Sequence, residues 1–316
     1  MNAIFGPVPS RRLGRSLGVD VVPFKTCTYD CVYCQLGRTT CRTVEQREWV
    51  SVDDVLGELA GRLDSQPDVI TISGSGEPTL CLRLGEMINR IKAITSVPVV
   101  VLTNGSLLWR PEVRSQLLAA DLVLPSLDAG DEAMFRTVNR PHPDISFDQM
   151  LDGLITFRRE FQGQYWLEVF LLAGHTAIEA EAAKLARCVE RIAPDKVQLN
   201  TAVRPPAETF AVGATRERMA ELAKMFGPNA EVIADFHATF EQPEFHAGRQ
   251  AVLELLKRRP CSLDDISAGL GMHRNQVVKY VQELADDGAI RPQWSAQRQT
   301  RLYVRIEAEA QPHGSS

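Results

Sequence analysis

The sequence predicts an α/β fold, a mostly parallel sheet built from six strand–helix units, followed by a small helix-rich module. Three observations carry this. Short apolar runs alternate with longer amphipathic stretches through the first three-quarters of the 316 residues, and such alternation with short connections makes parallel sheets with right-handed crossovers. A glycine-rich or polar motif follows each of the six candidate strands, where α/β folds collect their chemistry. Near Gly248 the rhythm changes to three helical patterns and a hairpin.

The candidate strands are Leu17–Val22, Val69–Ser73, Val97–Leu102, Leu122–Pro125, Trp166–Leu172 and Lys196–Leu199. Ser51 precedes a helical pattern, Val52–Leu63, with Val52, Val55, Leu56, Leu59 and Leu63 on one face and Asp54 at the capping-box position. Leu82–Ile94, Pro111–Ala119, Phe147–Phe161, Ile178–Ile192 and Thr215–Phe226 read the same way, with Pro111 suited to a first helical turn. Six such units fit an open partial barrel or a doubly wound sheet, and periodicity does not choose between them.

Ala251–Arg258, a segment from Leu263 to Gly269 capped by Ser262, and Arg274–Asp287 are helical patterns; Gly288 ends the last, and Ile290–Trp294 with Thr300–Arg305 resemble a hairpin. This is the layout of a winged helix-turn-helix. The expected organisation is a body over 1–246, the winged module over 247–306 and a disordered tail over 307–316. The second helix of the pair would present His273, Arg274, Asn275, Gln276 and Lys279, and the wing Arg298 and Arg301. Arg274, Asn275 and Lys279 are the candidates for contacting RNA or DNA. The competing reading is a module that contacts protein or lids the sheet.

A hydrophobic fraction of 44% and a charged fraction of 24% describe an ordinary soluble protein. No apolar run approaches the ~20 residues of a membrane span, and Met1–Pro9 lacks the pattern of a secretory signal, so the chain reads as cytoplasmic. The net charge of −5 is uneven: residues 248–306 carry ten Lys or Arg against six Asp or Glu, +4, which leaves −9 elsewhere. A basic module on an acidic body suits a polyanionic partner.

Three of the seven cysteines crowd into eight positions, Cys27-Thr-Tyr-Asp-Cys31-Val-Tyr-Cys34, in the loop after the first strand. In a reducing compartment such crowding points to metal binding. Soft thiolates suit an iron–sulfur cluster or zinc. Three ligands in one loop hold three corners of a cubane and leave one iron open, whereas structural zinc wants four ligands, the fourth from Cys41. Cys81, Cys188 and Cys261 read as small buried hydrophobes. Among the arginines, Arg12, ahead of the first strand, and Arg204, after the sixth, are candidate substrate contacts at the mouth of the sheet, since Arg pairs well with carboxylate or phosphate. Arg11, Arg15, Arg136, Asn139, Arg140 and His142 are weaker candidates for the same mouth.

The cysteine spacing, with Tyr33 before the last cysteine, resembles the signature of the radical S-adenosylmethionine (SAM) superfamily. The lead-in Phe5-Gly-Pro-Val-Pro-Ser-Arg-Arg-Leu-Gly with Ser16-Leu-Gly-Val-Asp20 resembles that of its wyosine-synthetase-like bacterial and archaeal branch. The resemblance implies a partial (β/α)6 barrel. It implies a [4Fe–4S] cluster on Cys27, Cys31 and Cys34, with SAM chelating the open iron. Gly74, Ser75, Gly76 and Glu77 would face the methionine amino group, with Ser75 standing where a second glycine is commoner. Asn104, Ser126 and Asp128 would meet the SAM carboxylate and ribose, and Gln198, Asn200 and Tyr33 the adenine. The implied activity is reductive cleavage of SAM to a 5′-deoxyadenosyl radical that abstracts hydrogen from an RNA or polypeptide, an oxidoreductase chemistry fed by a flavodoxin- or ferredoxin-like reductant. The alternative is an iron–sulfur redox-sensing transcriptional regulator, which would have no use for the SAM-type motifs. The chain has no second cysteine set for an auxiliary cluster.

Overall fold

Val69-Ile-Thr-Ile-Ser73 and Val99-Val-Val-Leu-Thr103 are rich in β-branched residues, whose stiff side chains suit a pleated surface, and both are strands in the computed structural model. It describes residues 3–10, 12–202, 207–208, 210–233, 243–258, 260–270, 272–295 and 300–306. Arg11, Arg204, Arg298 and the 307–316 tail lie outside the described residues. The chain divides into two units, Met1–Asp235 and Phe236–Ser316.

The first unit opens with β1 (Ile4–Ser10) and β2 (Gly14–Asp20), an antiparallel hairpin, then two two-residue strands, β3 (Thr26–Cys27) and β4 (Cys41–Arg42). There follow α1 (Val52–Ala60), β5 (Val69–Ser73), α2 (Leu84–Ile94), β6 (Val99–Thr103), α3 (Pro111–Leu117), β7 (Leu122–Pro125), α4 (Glu132–Val138) and α5 (Phe147–Glu160). β8 (Gln164–Leu171), α6 (Glu179–Ile192), β9 (Lys196–Thr201), α7 (Arg216–Ala223) and β10 (Ala230–Val232) complete it. Ser51 caps α1 by accepting from Asp54 N at 3.3 Å, and Ser146 with Gln149 forms a full capping box on α5.

The sheet runs β1-β2-β5-β6-β7-β8-β9-β10, parallel throughout except for β1. Alternate side chains divide between its faces. Leu17, Ile70, Val101, Val123, Leu167 and Leu199 bury against the helices. Val100, Leu122 and Leu124 line the other face with Leu102 and Trp166, where Leu13 from the β1–β2 turn packs on them. The neighbouring Arg12 reaches Glu168 on β8 and Gln198 on β9, although β2 lies four and five strands from these in the sheet order. That reach requires the sheet to curl around the turn. β1 and β10 do not pair with each other, so the sheet stays open.

Five elements were not read in the sequence: β1, α4, β10 and the two-residue β3 and β4. β1 holds Gly6, Pro7 and Pro9, which read as loop; pairing with β2 overrides that tendency. α4 is short and set by Asp131, which accepts from Met134 N at 2.8 Å. β10 has three residues.

The second unit contains α8 (Pro243–Arg258), α9 (Leu263–Leu270), α10 (Arg274–Asp286) and an antiparallel ribbon of β11 (Ile290–Ser295) and β12 (Thr300–Arg305). Val252, Ile266, Val277, Val281, Ile290 and Tyr303 are among its core residues. Ser262 and Asp265 cap α9 reciprocally, and Gly288, at φ 68°, follows the end of α10. Among the described residues no helix is long and apolar enough to cross a membrane.

Candidate active site

The cysteine loop is held from two sides. β3 pairs with β4, and the motif after β5 grips it through Lys25 N to Ser75 O (2.6 Å) and Glu77 N to Thr26 O (3.0 Å). On the other side Asp30 N and Val32 N donate to the carbonyls of Asn139 and Val138, and His142 N donates to Thr28 O. Arg38 and Arg140 both pair with Glu208, at 2.8 and 2.7 Å.

Cys27, Cys31 and Cys34 are half-buried and unpaired, whereas Cys81, Cys188 and Cys261 are buried and Cys41 is exposed. Each loop cysteine sits beside N–H donors. Tyr29 N and the Asn104 side-chain amide lie 3.5 Å from the Cys27 sulfur, and the Asn139 amide 3.5 Å from that of Cys31. Backbone N–H groups of Leu36 and Gly37 serve Cys34. Burial pushes the Cys27 thiol up to about 12 and Cys31 well above its ordinary value, and the thiols push one another up as well. The N–H groups act in the opposite sense and favour negative sulfur. Among the described residues no three His, Cys, Asp or Glu gather as ligands of a single ion, and Cys41, the fourth ligand that a structural zinc would need, is exposed. Three sulfurs on one short loop, each beside N–H donors, fit the soft, hydrogen-bonded thiolate set of an iron–sulfur cluster.

The motif after β5 is bonded closely to its own chain. A Cβ on Gly74 would lie 2.5 Å from Asp20 Oδ1, and one on Gly76 would lie 1.8 Å from Thr26 O. The space that these glycines leave is therefore filled by their own chain. Ser75 is buried and donates from Oγ to Asp20 Oδ2 at 2.5 Å. Glu77 is 2% exposed. Its Oε1 accepts from Thr79 N, Thr79 Oγ1 and Thr103 Oγ1 at 3.1, 2.6 and 2.6 Å, and its Oε2 from Asn104 N at 2.7 Å. The carboxylate ties the ends of β5 and β6 together.

Asp128 does the same between β7, β8 and the cysteine loop. It accepts from the Tyr33 hydroxyl, from Asn139 Nδ2 at 2.7 Å and from Phe170 N at 3.2 Å. Burial raises it to about 6 against the effect of those bonds. The Tyr33 ring stacks on Phe170 at 3.9 Å, so one of its faces is covered by protein. Asn104 donates to Thr28 Oγ1 at 2.8 Å as well as toward Cys27. Ser126 is half-buried, with its hydroxyl unbonded among the described residues.

Arg12 does not reach the mouth of the sheet. Because β1 is antiparallel to β2, the turn between them sits at the amino-terminal ends of the parallel strands, opposite the cysteine loop. From there Arg12 pairs with Glu168 and donates to Gln198 Oε1 at 3.1 Å, while Asn200 Nδ2 donates to Glu168 Oε1 at 3.2 Å. Arg15, from the same turn, donates to Ser65 O at 2.7 Å, and Arg136 pairs with Glu132. In the second unit Arg274 pairs with Asp264, with its side chain 12% exposed, and burial lowers its guanidinium to about 10. It is engaged within its own unit. Asn275 donates its backbone N–H to His273 at 3.2 Å, and Lys279 lies on the same helix.

The structure thus gathers Cys27, Cys31, Cys34, Tyr33, Glu77, Asn104 and Asp128 into one network. Gln198, Asn200 and Arg12 form a second, deeper one. Asp20, Asn139 and Glu168 belong to these networks and were missed or misassigned. Asp20 ends a recognisable strand and Asn139 was read only as a mouth residue; Glu168 had no local signal beyond being an acid in a strand.

The family model described as "Radical SAM superfamily" matches residues 21–186, more than half of the chain. A Brachyspira hyodysenteriae protein named GTPase Obg is 40% identical over 293 residues, 91% of this chain and 43% of that protein. A UPF0026 protein of Methanocaldococcus jannaschii is 41% identical over 214 residues, 66% of each chain. The chain therefore spans less than two thirds of both these relatives. Among solved structures, the FeFe-hydrogenase maturase HydG from Carboxydothermus hydrogenoformans aligns with a TM-score of 0.51 at 15% identity, over 70% of this chain and 53% of that one, a likeness of fold.

Proposed function

The chain belongs to the radical SAM superfamily, enzymes that use a [4Fe–4S] cluster and SAM, and we propose that in this member Cys27, Cys31 and Cys34 hold the cluster. The observation that carries the assignment is that all three sulfurs sit beside N–H donors supplied by the loop itself or by Asn104 and Asn139. When bound, cluster and SAM supply reductive cleavage to a 5′-deoxyadenosyl radical that abstracts hydrogen from substrate.

The protein's part is to position and to exclude water. Glu77 and Asp128 fix the loops from inside, and Asn104 and Asn139 orient the cysteines. Gly74–Glu77, Asn104, Ser126 and Asp128 would face the methionine and ribose ends of SAM. Here Ser126 Oγ and the remaining lone pairs of Glu77 and Asp128 are the atoms left to accept or donate. Tyr33, Gln198 and Asn200 bound the adenine. Arg12 closes the interior from below, while Arg204 remains a candidate substrate contact at the mouth. We read the first unit as a partial (β/α)6 barrel and the second as a winged helix-turn-helix. The PSRRLG–SLG lead-in is what ties the chain to the wyosine-synthetase-like branch. The substrate class is RNA or a polypeptide, the electron donor is flavodoxin- or ferredoxin-like, and the setting is cytoplasmic.

Anaerobic reconstitution tests the assignment: about four irons and four sulfides per chain are expected, lost in Cys27→Ala, Cys31→Ala and Cys34→Ala but kept in Cys41→Ala. The dithionite-reduced protein is expected to cleave SAM slowly to 5′-deoxyadenosine and methionine. Loss of the cluster in Cys41→Ala would show a closed four-thiolate site and defeat the assignment.

A further inference from the structure

Where the positive charge of the second unit lies decides what that unit can hold. Residues 249–287 contain six Lys or Arg and six Asp or Glu, whereas residues 288–306 contain four Arg and no acid. The helices are neutral as a set, and the whole excess of +4 falls on the ribbon and its turn. Helix cations are also matched locally: Arg249 pairs with Asp287, and Arg274 with Asp264. Arg291 and Arg305, on the ribbon, have no carboxylate partner among the described residues.

The same ribbon carries Trp294, 63% exposed. In the antiparallel register Trp294 lies opposite Arg301, so indole and guanidinium leave the same face. An exposed indole offers an open, flat π-face to a partner. A basic surface calls for phosphate, and a bare ring beside a guanidinium calls for another flat π-face. Single-stranded nucleic acid offers both at the spacing of one nucleotide, while a duplex hides its base faces in the stack. A helix reading a duplex groove would need cations to spare, and the charges of α10 and its neighbours balance.

We propose that the β11–β12 ribbon is a docking surface for single-stranded RNA, with Trp294 stacking on a base and Arg301 and Arg305, which share its face, meeting phosphates. RNA rather than DNA is chosen because it is the single strand that the proposed substrate class supplies, and the inference rests on that reading. It moves nucleic-acid contact from the Arg274 helix to the ribbon.

The test uses the full chain, reconstituted, and a fluorescein-labelled oligo(U) RNA followed by anisotropy between about 50 and 200 mM salt. Trp294→Ala is expected to weaken binding roughly 5- to 150-fold without altering the salt slope, since stacking is a non-ionic contact. Trp294→Phe keeps most of the affinity. Arg301→Ala with Arg305→Ala flattens the log–log salt slope by about 1.4, two phosphates' worth on a single strand. Trp294 is exposed, so an unchanged melting temperature verifies the fold of its variants. Absence of salt-dependent binding, unchanged affinity in Trp294→Ala, or tighter binding of an RNA duplex or of oligo(dU) would each overturn the proposal. Iron content and substrate-free SAM cleavage should be the same in every ribbon variant. Their absence from the wild type would remove the cluster assignment and leave the ribbon result to be judged alone.

Discussion

The side-chain nitrogen of Asn139 lies 3.5 Å from the sulfur of Cys31 and, from the same atom, 2.7 Å from a carboxylate oxygen of Asp128. Asp128 also accepts the hydroxyl of Tyr33, the residue before Cys34. One buried acid thus orients the surroundings of two of the three cysteines, through an amide on one side and a phenol on the other.

Asn139→Ala removes an N–H donor from sulfur while leaving all three thiols in place. Fewer donors leave negative charge on the sulfurs less stabilised, so a reduced cluster becomes harder to reach. The expected result is an unchanged iron content, a more negative midpoint in an EPR-monitored titration, and SAM cleavage slower by about 10- to 100-fold, the usual cost of losing an outer partner. A midpoint and rate equal to wild type would mean that the amide only packs.

Asp128 gives a pH signature in the cluster-free protein. Its folded value is about 6 against an ordinary 3.8, with burial as the largest cause. Below about pH 4 the carboxyl is protonated whether folded or unfolded, and contributes nothing. Between about 4 and 6 the folded state binds the extra proton, so stability falls as pH rises. Above that the full penalty, about 3 kcal/mol, is present and constant. Asp128→Asn cannot charge. Urea unfolding from pH 4 to 7 should show wild-type stability, relative to that variant, declining by about this amount and then levelling. Wild-type stability that rises with pH relative to the variant, or stays level with it, would contradict the assignment.

Glu77 is expected to matter to folding before it matters to binding. Glu77→Ala leaves the backbone N–H groups of Thr79 and Asn104 without their acceptor, at about 1–3 kcal/mol for each buried donor. Glu77→Gln with its oxygen in the Oε1 position keeps the three threonine bonds and turns its amide nitrogen toward Asn104 N alone, so about half that loss is expected. Urea denaturation of both variants checks the order. If Glu77→Ala unfolds at the wild-type midpoint, the motif is less tightly built than its hydrogen bonds imply.

Much of this was legible in the sequence. Val69–Ser73 and Leu122–Pro125 are strands with the bounds read from their apolar runs, because a strand buried by helices must be apolar along its length. The cysteine loop and the motif after Ser73 meet as their positions after neighbouring strands require. Direction was not legible. Pro7 and Pro9 hid β1, and without β1 nothing indicates that Arg12 enters from the far end of the sheet. Nor does local sequence separate a polar residue that faces a ligand from one that braces a loop. Asn104 and Asn139 look alike in that respect, and Glu77 and Ser75 bond to Thr103 and Asp20, partners that only the folded chain brings near.

Gly76 offers the sharpest test of how the cysteine loop is held. A Cβ there would lie 1.8 Å from the carbonyl oxygen of Thr26 and 2.7 Å from its carbon. That carbonyl accepts Glu77 N, and Thr26 is fixed in turn by its own N–H to Pro23 O and by pairing with Cys41. Backbone cannot yield by a rotamer change, so Gly76→Ala must push the strand bearing Cys27 away from the end of β5. The cost is expected at or above the ~1–3 kcal/mol of ordinary overpacking, with most of the reconstituted iron lost because one cysteine is displaced. Gly57, in the middle of α1, is the matched control. An added Cβ meets nothing within 4 Å there, and Gly57→Ala should stabilise the helix by up to ~1 kcal/mol with iron content unchanged. Equal iron in both variants would show that the loop can shift without losing its ligands, and the close approach of Gly76 to Thr26 would then be packing without consequence for the site.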